Sequence, residues 1–328
     1  MFKLTAPKEN EVQFHPQYIA NRDYHLSVGD GHQIHVQEFG EPSGIAVVVC
    51  HGGPGSGLCP ENCRFFDLQR YRVIMFSQRG CGHSTPHDTQ ANTTQDLISD
   101  LEFLRIQLGV KKWLVSGESW GATLALLYAI SHPESVAGLL LRASFLACES
   151  DFAWLYSQQG AGAQFYPESY REFAGELHDW SQLLDFYQCQ LSSEDQINAN
   201  KYAKRWCHWE QVLCHAEPCT SWCISEPHSA LNQARLMVHY FRHRCFIEDH
   251  YITKHSDILA HIPTWFIHGR ADLVCRYSAV QQLAEQLNAQ LLILDGIGHS
   301  SDNQVYLAAM RRAADLMYIK LSRDQCKA

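Results

Sequence analysis

A serine with glycine two residues before and two residues after it lies in the segment Gly117-Glu118-Ser119-Trp120-Gly121. This Gly-x-Ser-x-Gly pattern is typical of a sharp turn between a strand and a helix, which exposes the serine as a nucleophile. A strand-like run, Trp113-Leu114-Val115, comes before it, and a helix-forming run over residues 122–130 follows. The alternative is a chance match in a glycine-rich turn, which this context disfavours. The pattern predicts nucleophilic catalysis at Ser119, with the Trp120 N–H as an oxyanion donor.

A serine hydroxyl needs a base to remove its proton and a carboxylate to orient that base. Two later loops supply them: Asp272 follows the strand-like run 265–267, and His299 follows the run 291–294. Both positions are at the carboxyl ends of predicted parallel strands, where sites in such sheets form. A turn-capping aspartate and an ordinary loop histidine are the alternatives, and the chain has 19 histidines. The order Ser119, Asp272, His299 together with this context favours a catalytic triad.

The second oxyanion donor is predicted in the segment His51-Gly52-Gly53-Pro54-Gly55, directly after the apolar run 45–50. Pro54 has no N–H to donate. We therefore predict Gly53 as the donor, with Gly52 as the neighbouring alternative. A plain glycine turn is the other interpretation.

The elements around these residues predict an α/β fold. Residues 25–39 alternate in polarity around Gly29-Asp30-Gly31, which indicates a hairpin. Short buried runs and amphipathic segments then alternate, which predicts a mostly parallel sheet with helices on both faces. From residue 145 to 255 the strand-like runs disappear and helical periodicity dominates. We predict a core of residues 1–144 and 256–328, with an inserted helical cap domain over residues 145–255.

Composition excludes several classes of protein. The chain has 328 residues, of which 46% are hydrophobic and 19% charged, and a net charge of −9. These values are ordinary for a globular protein, and no Lys/Arg cluster indicates nucleic-acid binding. No apolar run of 18 residues predicts a membrane span, and residues 1–18 lack the apolar core of a signal peptide. We therefore expect a cytoplasmic protein.

The 13 cysteines are expected to be mostly small buried hydrophobic residues in a reducing compartment. One group could bind zinc: Cys207, Cys214, Cys219 and Cys223, with His208 and His215 among them. The spacings are irregular and contain no paired Cys-x-x-Cys, so we predict no metal and no cofactor.

Several motifs taken together make this sequence resemble the proline iminopeptidases (prolyl aminopeptidases) of the α/β-hydrolase fold. The resemblance extends from about residue 10 to the end. The motifs are His51-Gly-Gly-Pro-Gly55, Gln78-Arg-Gly-Cys-Gly82, Glu118-Ser-Trp-Gly121, His268-Gly-Arg270, Gly298-His-Ser300, Arg205-Trp206-Cys207-His208-Trp209-Glu210 and Val238-His239-Tyr240-Phe241. The family releases an N-terminal proline from peptides through an acyl-enzyme, so the resemblance implies a small peptide with a free N-terminus as substrate.

The resemblance also implies a substrate pocket. Phe145, Tyr156, Phe241 and Cys275 occupy positions that match the family's apolar pocket for the proline ring. Glu210 matches one of the cap glutamates that hold the free amine. A prolyl ammonium has two N–H donors and a charge, which need acceptors once water leaves. An exposed helix carboxylate and ordinary cap core are the alternatives for these residues.

The sequence departs from the family pattern at three positions. Met237 stands where the family has a second amine-binding glutamate, Ser77 stands where an aspartate is usual, and Glu118 replaces a small residue. Met237 favours an alternative function, an esterase or amidase of relaxed specificity with the same triad. A binding protein on an inactive hydrolase scaffold is disfavoured, because all three triad residues are present. The sequence leaves open whether the protein is a monomer or a homodimer.

Overall fold

The computed structural model describes residues 18–215, 227–300 and 303–325. Cys219, Cys223 and residues 1–17 lie outside these ranges. Eight strands form one sheet in the order β1-β2-β4-β3-β5-β6-β7-β8. Their bounds are β1 Arg22–Gly29, β2 His32–Gly40, β3 Ile45–Cys50, β4 Tyr71–Phe76, β5 Trp113–Glu118, β6 Val136–Arg142, β7 Thr264–Gly269 and β8 Gln290–Leu294.

The sheet is parallel except at one edge. Strand β1 pairs antiparallel with β2, and β2 pairs antiparallel with β4, whereas every pairing from β4 to β8 is parallel. The predicted hairpin is confirmed, with Gly29, Asp30 and Gly31 all at positive φ in its turn. Two flanking glycines suit this turn because they adopt positive φ without a steric penalty.

Twelve helices accompany the sheet in the described part of the chain. They are α1 Thr94–Gln107, α2 Trp120–Ser131, α3 Glu149–Tyr156, α4 Ala161–Phe165, α5 Pro167–Ala174, α6 Trp180–Leu191, α7 Gln196–His215, α8 Pro227–Arg242, α9 Tyr251–Lys254, α10 Ser256–Leu259, α11 Tyr277–Gln286 and α12 Gln304–Gln325. Helix α1 begins at a capping box, in which Thr93 and Asp96 each accept a hydrogen bond from the other's backbone N–H.

The sheet separates two hydrophobic cores. Apolar side chains of α1, α2 and α11 pack on one face, where Leu97, Leu101 and Leu104 form the buried side of α1. Helix α12 covers the other face. The predicted α/β fold, with a mostly parallel sheet and helices on both faces, is confirmed. No helix in the described ranges combines the length and the apolar character needed to span a membrane.

Helices α3 to α10 all lie between β6 and β7 in the chain, and the described residues of 145–255 contain no strand. Stacked aromatic rings fill this region, as in the pair Phe173 and Trp209, whose ring centroids are 5.4 Å apart. The Tyr240 hydroxyl donates to the Asn92 side chain at 2.7 Å, and the Trp154 indole donates to the Leu273 carbonyl at 2.8 Å. These contacts fix the helical region over the carboxyl ends of the strands.

Candidate active site

Ser119 occupies the turn between β5 and α2 in a strained conformation, with φ 52° and ψ −121°. Steric crowding requires glycine at both glycine positions of the motif. A Cβ on Gly121 would lie 2.1 Å from the Cys50 carbonyl oxygen, and a Cβ on Gly117 would lie 2.3 Å from the Gly121 carbonyl oxygen. Because the backbone segments approach so closely, only glycine fits, and the turn presents the Ser119 side chain to a cavity.

The loops after β7 and β8 bring Asp272 and His299 together. The His299 Nδ1 atom lies 2.9 Å from Asp272 Oδ2, and the other oxygen, Oδ1, accepts the backbone N–H groups of Val274 and Cys275 at 2.8 Å each. The carboxylate is fully buried, while 13% of the His299 side chain is exposed. A fixed acceptor at Nδ1 leaves Nε2 as the ring nitrogen that is free to act as a base.

The environment of Asp272 keeps it ionised. Burial alone would raise the pKa of Asp272, but the His299 and His268 rings and the backbone donors outweigh it, so the pKa lies below its usual value. His268 is also buried, which lowers its pKa, and its Nε2 is 3.0 Å from the Cys275 carbonyl oxygen. His268, which donates to this carbonyl, holds the loop carrying Asp272 against β7.

Ser119 and His299 line one cavity of about 360 Å³, together with Glu118, Glu210 and Met237. No hydrogen bond joins the Ser119 hydroxyl to His299 in the described part of the chain. The Ser119 Oγ atom instead lies 3.9 Å from Cys275 Sγ. Links between nucleophile and base are often long in the absence of substrate and shorten when it binds.

Gly53 and Gly52 lie beside the nucleophile. Gly53 has φ 112°, and a Cβ on Gly52 would lie 3.5 Å from the Ser119 Cβ. Trp120 is the first residue of α2, where backbone N–H groups lack acceptors within the helix. Both predicted oxyanion donors therefore belong to segments that border Ser119.

Gln78 joins these two segments, although sequence analysis gave it no role. Its side-chain oxygen accepts from the Trp120 indole at 2.9 Å, and its side-chain nitrogen donates to the His51 carbonyl at 2.9 Å. The Gln78 backbone N–H donates to His51 Nε2. Burial lowers the pKa of His51 to about 4, so the ring stays neutral and keeps this acceptor. The only indication in the sequence that Gln78 has a role is its place in the motif Gln78-Arg-Gly-Cys-Gly82.

The opposite wall of the cavity carries Glu210. The Tyr156 hydroxyl donates to Glu210 Oε1 at 2.8 Å. Glu210 is half-buried and lines the cavity. This burial raises the pKa of Glu210 to about 7, although the hydrogen bond from Tyr156 and the nearby His299 oppose the shift. The site thus contains a carboxylate whose ionised form a cationic partner would stabilise strongly.

Met237, Phe145 and Phe241 belong to the apolar part of the cavity lining. The Trp206 indole donates to the Met237 sulfur at 3.4 Å, which fixes the thioether in place. Tyr156 and Cys275 do not line the cavity themselves. Tyr156 is buried behind Glu210, and Cys275 is buried beside Ser119.

An ion pair that sequence analysis missed also borders the nucleophile. A carboxylate oxygen of Glu118 contacts the Arg142 guanidinium, and both residues line the cavity. The sequence marks Glu118 only as a departure from a family pattern. Its partner lies on the adjacent strand in direct register, a pairing that a single sequence does not reveal.

Known proteins of similar sequence share a single family. A family model described as alpha/beta hydrolase fold matches residues 45–301. The proline iminopeptidase of Arabidopsis thaliana is 38% identical over 285 residues, which cover 84% of this chain and 74% of the relative. The proline iminopeptidase of Neisseria gonorrhoeae is 36% identical over 295 residues, covering 89% of this chain and 94% of the relative.

Solved structures of low sequence identity share the fold. A proline iminopeptidase-related protein of Thermus thermophilus superposes with a TM-score of 0.63 at 20% identity, over 92% of this chain and 99% of that one. An esterase from a Rhodococcus species superposes with a TM-score of 0.58 at 16% identity, over 90% and 99%. The same fold thus supports more than one hydrolytic specificity.

Proposed function

This chain belongs to the proline iminopeptidase family of the α/β-hydrolase fold, and on that premise we propose that it is a serine aminopeptidase that releases N-terminal proline, or another small apolar residue, from peptides. The proposal assigns Ser119, Asp272 and His299 as the catalytic triad. It assigns Gly53 and Trp120 as oxyanion donors, and residues 145–255 as a cap domain on a core made of residues 1–144 and 256–328.

The proposed reaction proceeds through an acyl-enzyme. As Ser119 Oγ bonds to the carbonyl carbon of the first residue, its proton moves to His299 Nε2, and Asp272 stabilises the imidazolium that forms. The N–H groups of Gly53 and Trp120 hold the oxyanion. When the C–N bond breaks, His299 returns the proton to the amine of the departing peptide. Water then attacks the acyl group and gives a proton to His299. The bond from the acyl carbon to Ser119 Oγ breaks, the free amino acid leaves, and His299 returns the proton to Ser119 Oγ.

One observation carries the choice of an aminopeptidase: the Glu210 carboxyl group lines the same cavity as Ser119. A carboxylate held there by Tyr156 can accept hydrogen bonds from the ammonium of an N-terminal residue whose carbonyl lies at Ser119. Because this carboxylate is costly to bury alone, a cationic substrate relieves the cost of its burial. Phe145, Phe241 and Met237 supply the adjoining apolar surface, with Tyr156 and Cys275 supporting the wall from behind.

The second candidate function is an esterase or amidase of relaxed specificity, and it rests on Met237. The buried thioether adds apolar surface at the position of a second amine-binding glutamate in the resembled family. A single carboxylate, Glu210, then selects less strongly for a free amine. Such a site would accept small acyl groups that lack the charge.

Kinetics with matched substrates separate these functions. Proline p-nitroanilide, its N-acetyl derivative and p-nitrophenyl acetate are compared on the native protein, Ser119→Ala and Glu210→Gln. An aminopeptidase cleaves the free-amine anilide and discriminates against the acetylated one, and Glu210→Gln removes this discrimination. Ser119→Ala should abolish every activity, together with labelling by a serine-reactive phosphonate.

Three results would contradict the proposal. Equal cleavage of the free and acetylated anilides would favour the relaxed esterase or amidase. Unchanged turnover in Ser119→Ala would exclude the triad. No activity on any substrate, with no phosphonate labelling, would favour an inactive scaffold that binds its ligand without chemistry.

A further inference from the structure

A second and larger cavity, of about 1020 Å³, lies at the opposite end of the sheet from Ser119. We call it the basal cavity. Its walls come from the amino ends of β3, β4 and β6, from the segments that precede β5 and β7, from α10 and from the last turns of α12. Strand β5 separates it from the nucleophile by about 20 Å, since a strand rises about 3.3 Å per residue. The basal cavity is therefore distinct from the candidate active site.

Aliphatic side chains form most of the basal cavity. Val110, Val136, Ile262 and Leu321 are buried residues that line it, and Ile45 and Ile258 are half-buried. The half-buried Ile45 and Ile258 leave apolar surface in contact with water, which costs free energy because each exposed CH₂ group forgoes its burial. Open apolar concavities of this kind are typical of ligand sites.

The charged side chains among the described residues that line the basal cavity are all basic, in a chain whose net charge is −9. Lys111 and Lys112 are exposed at its rim, and neither ammonium belongs to an ion pair among the described residues. Arg72 is already paired with Glu38 through bonds of 2.6 and 2.8 Å, and His261 is exposed at the same rim. In the part of the chain that the structure describes, no aspartate or glutamate lines the cavity.

The backbone beneath the two lysines is held in place. The Arg105 guanidinium donates to the carbonyls of Val110 and Lys111, at 2.5 and 3.0 Å. Its pairing with Glu102 fixes the guanidinium in turn. The backbone that carries the two lysines is therefore held at the mouth of an apolar cavity rather than on a loose loop, and binding costs less ordering of the chain.

We propose that the basal cavity binds a single-chain anionic amphiphile of the fatty-acid class. The carboxylate lies at the rim between Lys111 and Lys112, and the hydrocarbon chain lies along the aliphatic wall. Charge complementarity selects the anion, while the length of the apolar wall selects an extended chain over a compact anion such as phosphate. The inference concerns binding alone and does not depend on the proposed catalytic function.

The test uses isothermal titration calorimetry with octanoate and 1-octanol, which share a chain and differ in charge. Hexanoate, decanoate and dodecanoate, each below its micelle concentration, extend the series. Binding of octanoate is expected to exceed that of 1-octanol, and affinity should rise about threefold to fourfold per methylene until the chain fills the wall. Ser119→Ala should bind equally well, because the nucleophile lies at the other end of the sheet.

Two variants probe the two parts of the site. Lys111→Glu/Lys112→Glu should weaken octanoate binding about tenfold or more and leave 1-octanol unchanged. Lys201→Glu/Lys204→Glu, on exposed positions of α7, changes the net charge equally and serves as the control. Ala137→Phe should fill part of the cavity and weaken both ligands, with circular dichroism and melting temperature confirming the fold.

Each contrary outcome overturns the proposal. Absence of octanoate and dodecanoate binding excludes the site. Equal affinity for octanoate and 1-octanol, or an equal loss in the α7 control variant, removes the role of the two lysines. Inorganic phosphate is titrated in the same way, and binding as tight as that of octanoate would mean that the apolar wall contributes nothing. Loss of binding in Ser119→Ala would place the ligand in the catalytic cavity instead.

Discussion

Arg142 and Glu118 form an ion pair between the adjacent strands β6 and β5, directly before the nucleophile. Only 8% of the arginine side chain and 19% of the glutamate side chain are exposed. The same two strands are tied again where the Ser119 N–H donates to the Arg142 carbonyl at 3.1 Å. The guanidinium also lies over the rings of Phe65 and Tyr306. The pair therefore holds the elbow to the centre of the sheet.

Glu118→Gln should destabilise the protein, because it removes a negative charge that contacts the largely buried guanidinium of Arg142. We expect a loss of about 3 kcal/mol in the free energy of unfolding. Urea unfolding followed by circular dichroism measures it. Glu134→Gln is the control, since that side chain is 72% exposed and 4.0 Å from His132, and should cost about 0.5 kcal/mol or less. An equal, small loss in both variants would mean that the pair contributes nothing beyond a surface pair.

Asp272→Asn should reduce kcat by about 10³–10⁴-fold with little effect on KM. The amide no longer stabilises the imidazolium, and its NH₂ group can force His299 into the wrong tautomer. Stopped-flow or steady-state hydrolysis of a p-nitrophenyl ester measures the change. Asp295→Asn, an exposed carboxylate paired with Arg270, is the matched control and should retain its rate. A drop of less than tenfold in Asp272→Asn would remove Asp272 from the proposed triad.

The KM for a substrate with a free amine should depend on pH through Glu210. Burial raises the pKa of Glu210 to about 7, so the carboxylate is charged above this pH and protonated below it. As pH falls from roughly 8 to 5, KM for proline p-nitroanilide should rise with a midpoint near 7, while KM for p-nitrophenyl acetate stays flat.

Two variants check the origin of this pH dependence. Glu210→Gln should remove it, since no proton is then gained or lost at that position. Tyr156→Phe should move the midpoint to higher pH, because the lost hydrogen bond had favoured the ionised form. A midpoint that stays in place in both variants would assign the titration to another group.

Met237→Glu should raise kcat/KM for proline p-nitroanilide about tenfold to a hundredfold, since a charge-assisted hydrogen bond is worth roughly 1.5–3 kcal/mol. The Trp206 N–H that now contacts the sulfur at 3.4 Å would then donate to the new carboxylate. Activity on p-nitrophenyl acetate should stay level or fall.

Met237→Gln is the control for the Met237→Glu experiment, because it adds a polar acceptor of equal size without the charge. If Met237→Gln gives the same gain, hydrogen bonding rather than charge explains it. A fall in kcat/KM for the anilide in Met237→Glu would mean that another carboxylate already serves the ammonium.

The sequence by itself determined the strand–turn–helix of the elbow, the mostly parallel pairing of the core strands and the positions of Asp272 and His299 after β7 and β8. These features follow from local rules. Glycine spacing reports which backbone segments must approach, and a period of two or of 3.6 residues reports which face of an element is buried. Each of these patterns spans only a few neighbouring residues, so a single sequence is enough to identify them.

Only the tertiary structure decided which distant side chains meet. The pairing of Glu118 with Arg142 depends on the register of two strands, and the contact of Tyr156 with Glu210 depends on the packing of α3 against α7. The basal cavity is assembled from strand ends, loops and helices spread from Pro42 to Leu321. The periodicity of a sequence indicates which side chains of an element are buried. It does not indicate which residues they contact, because those contacts depend on how whole elements pack against one another.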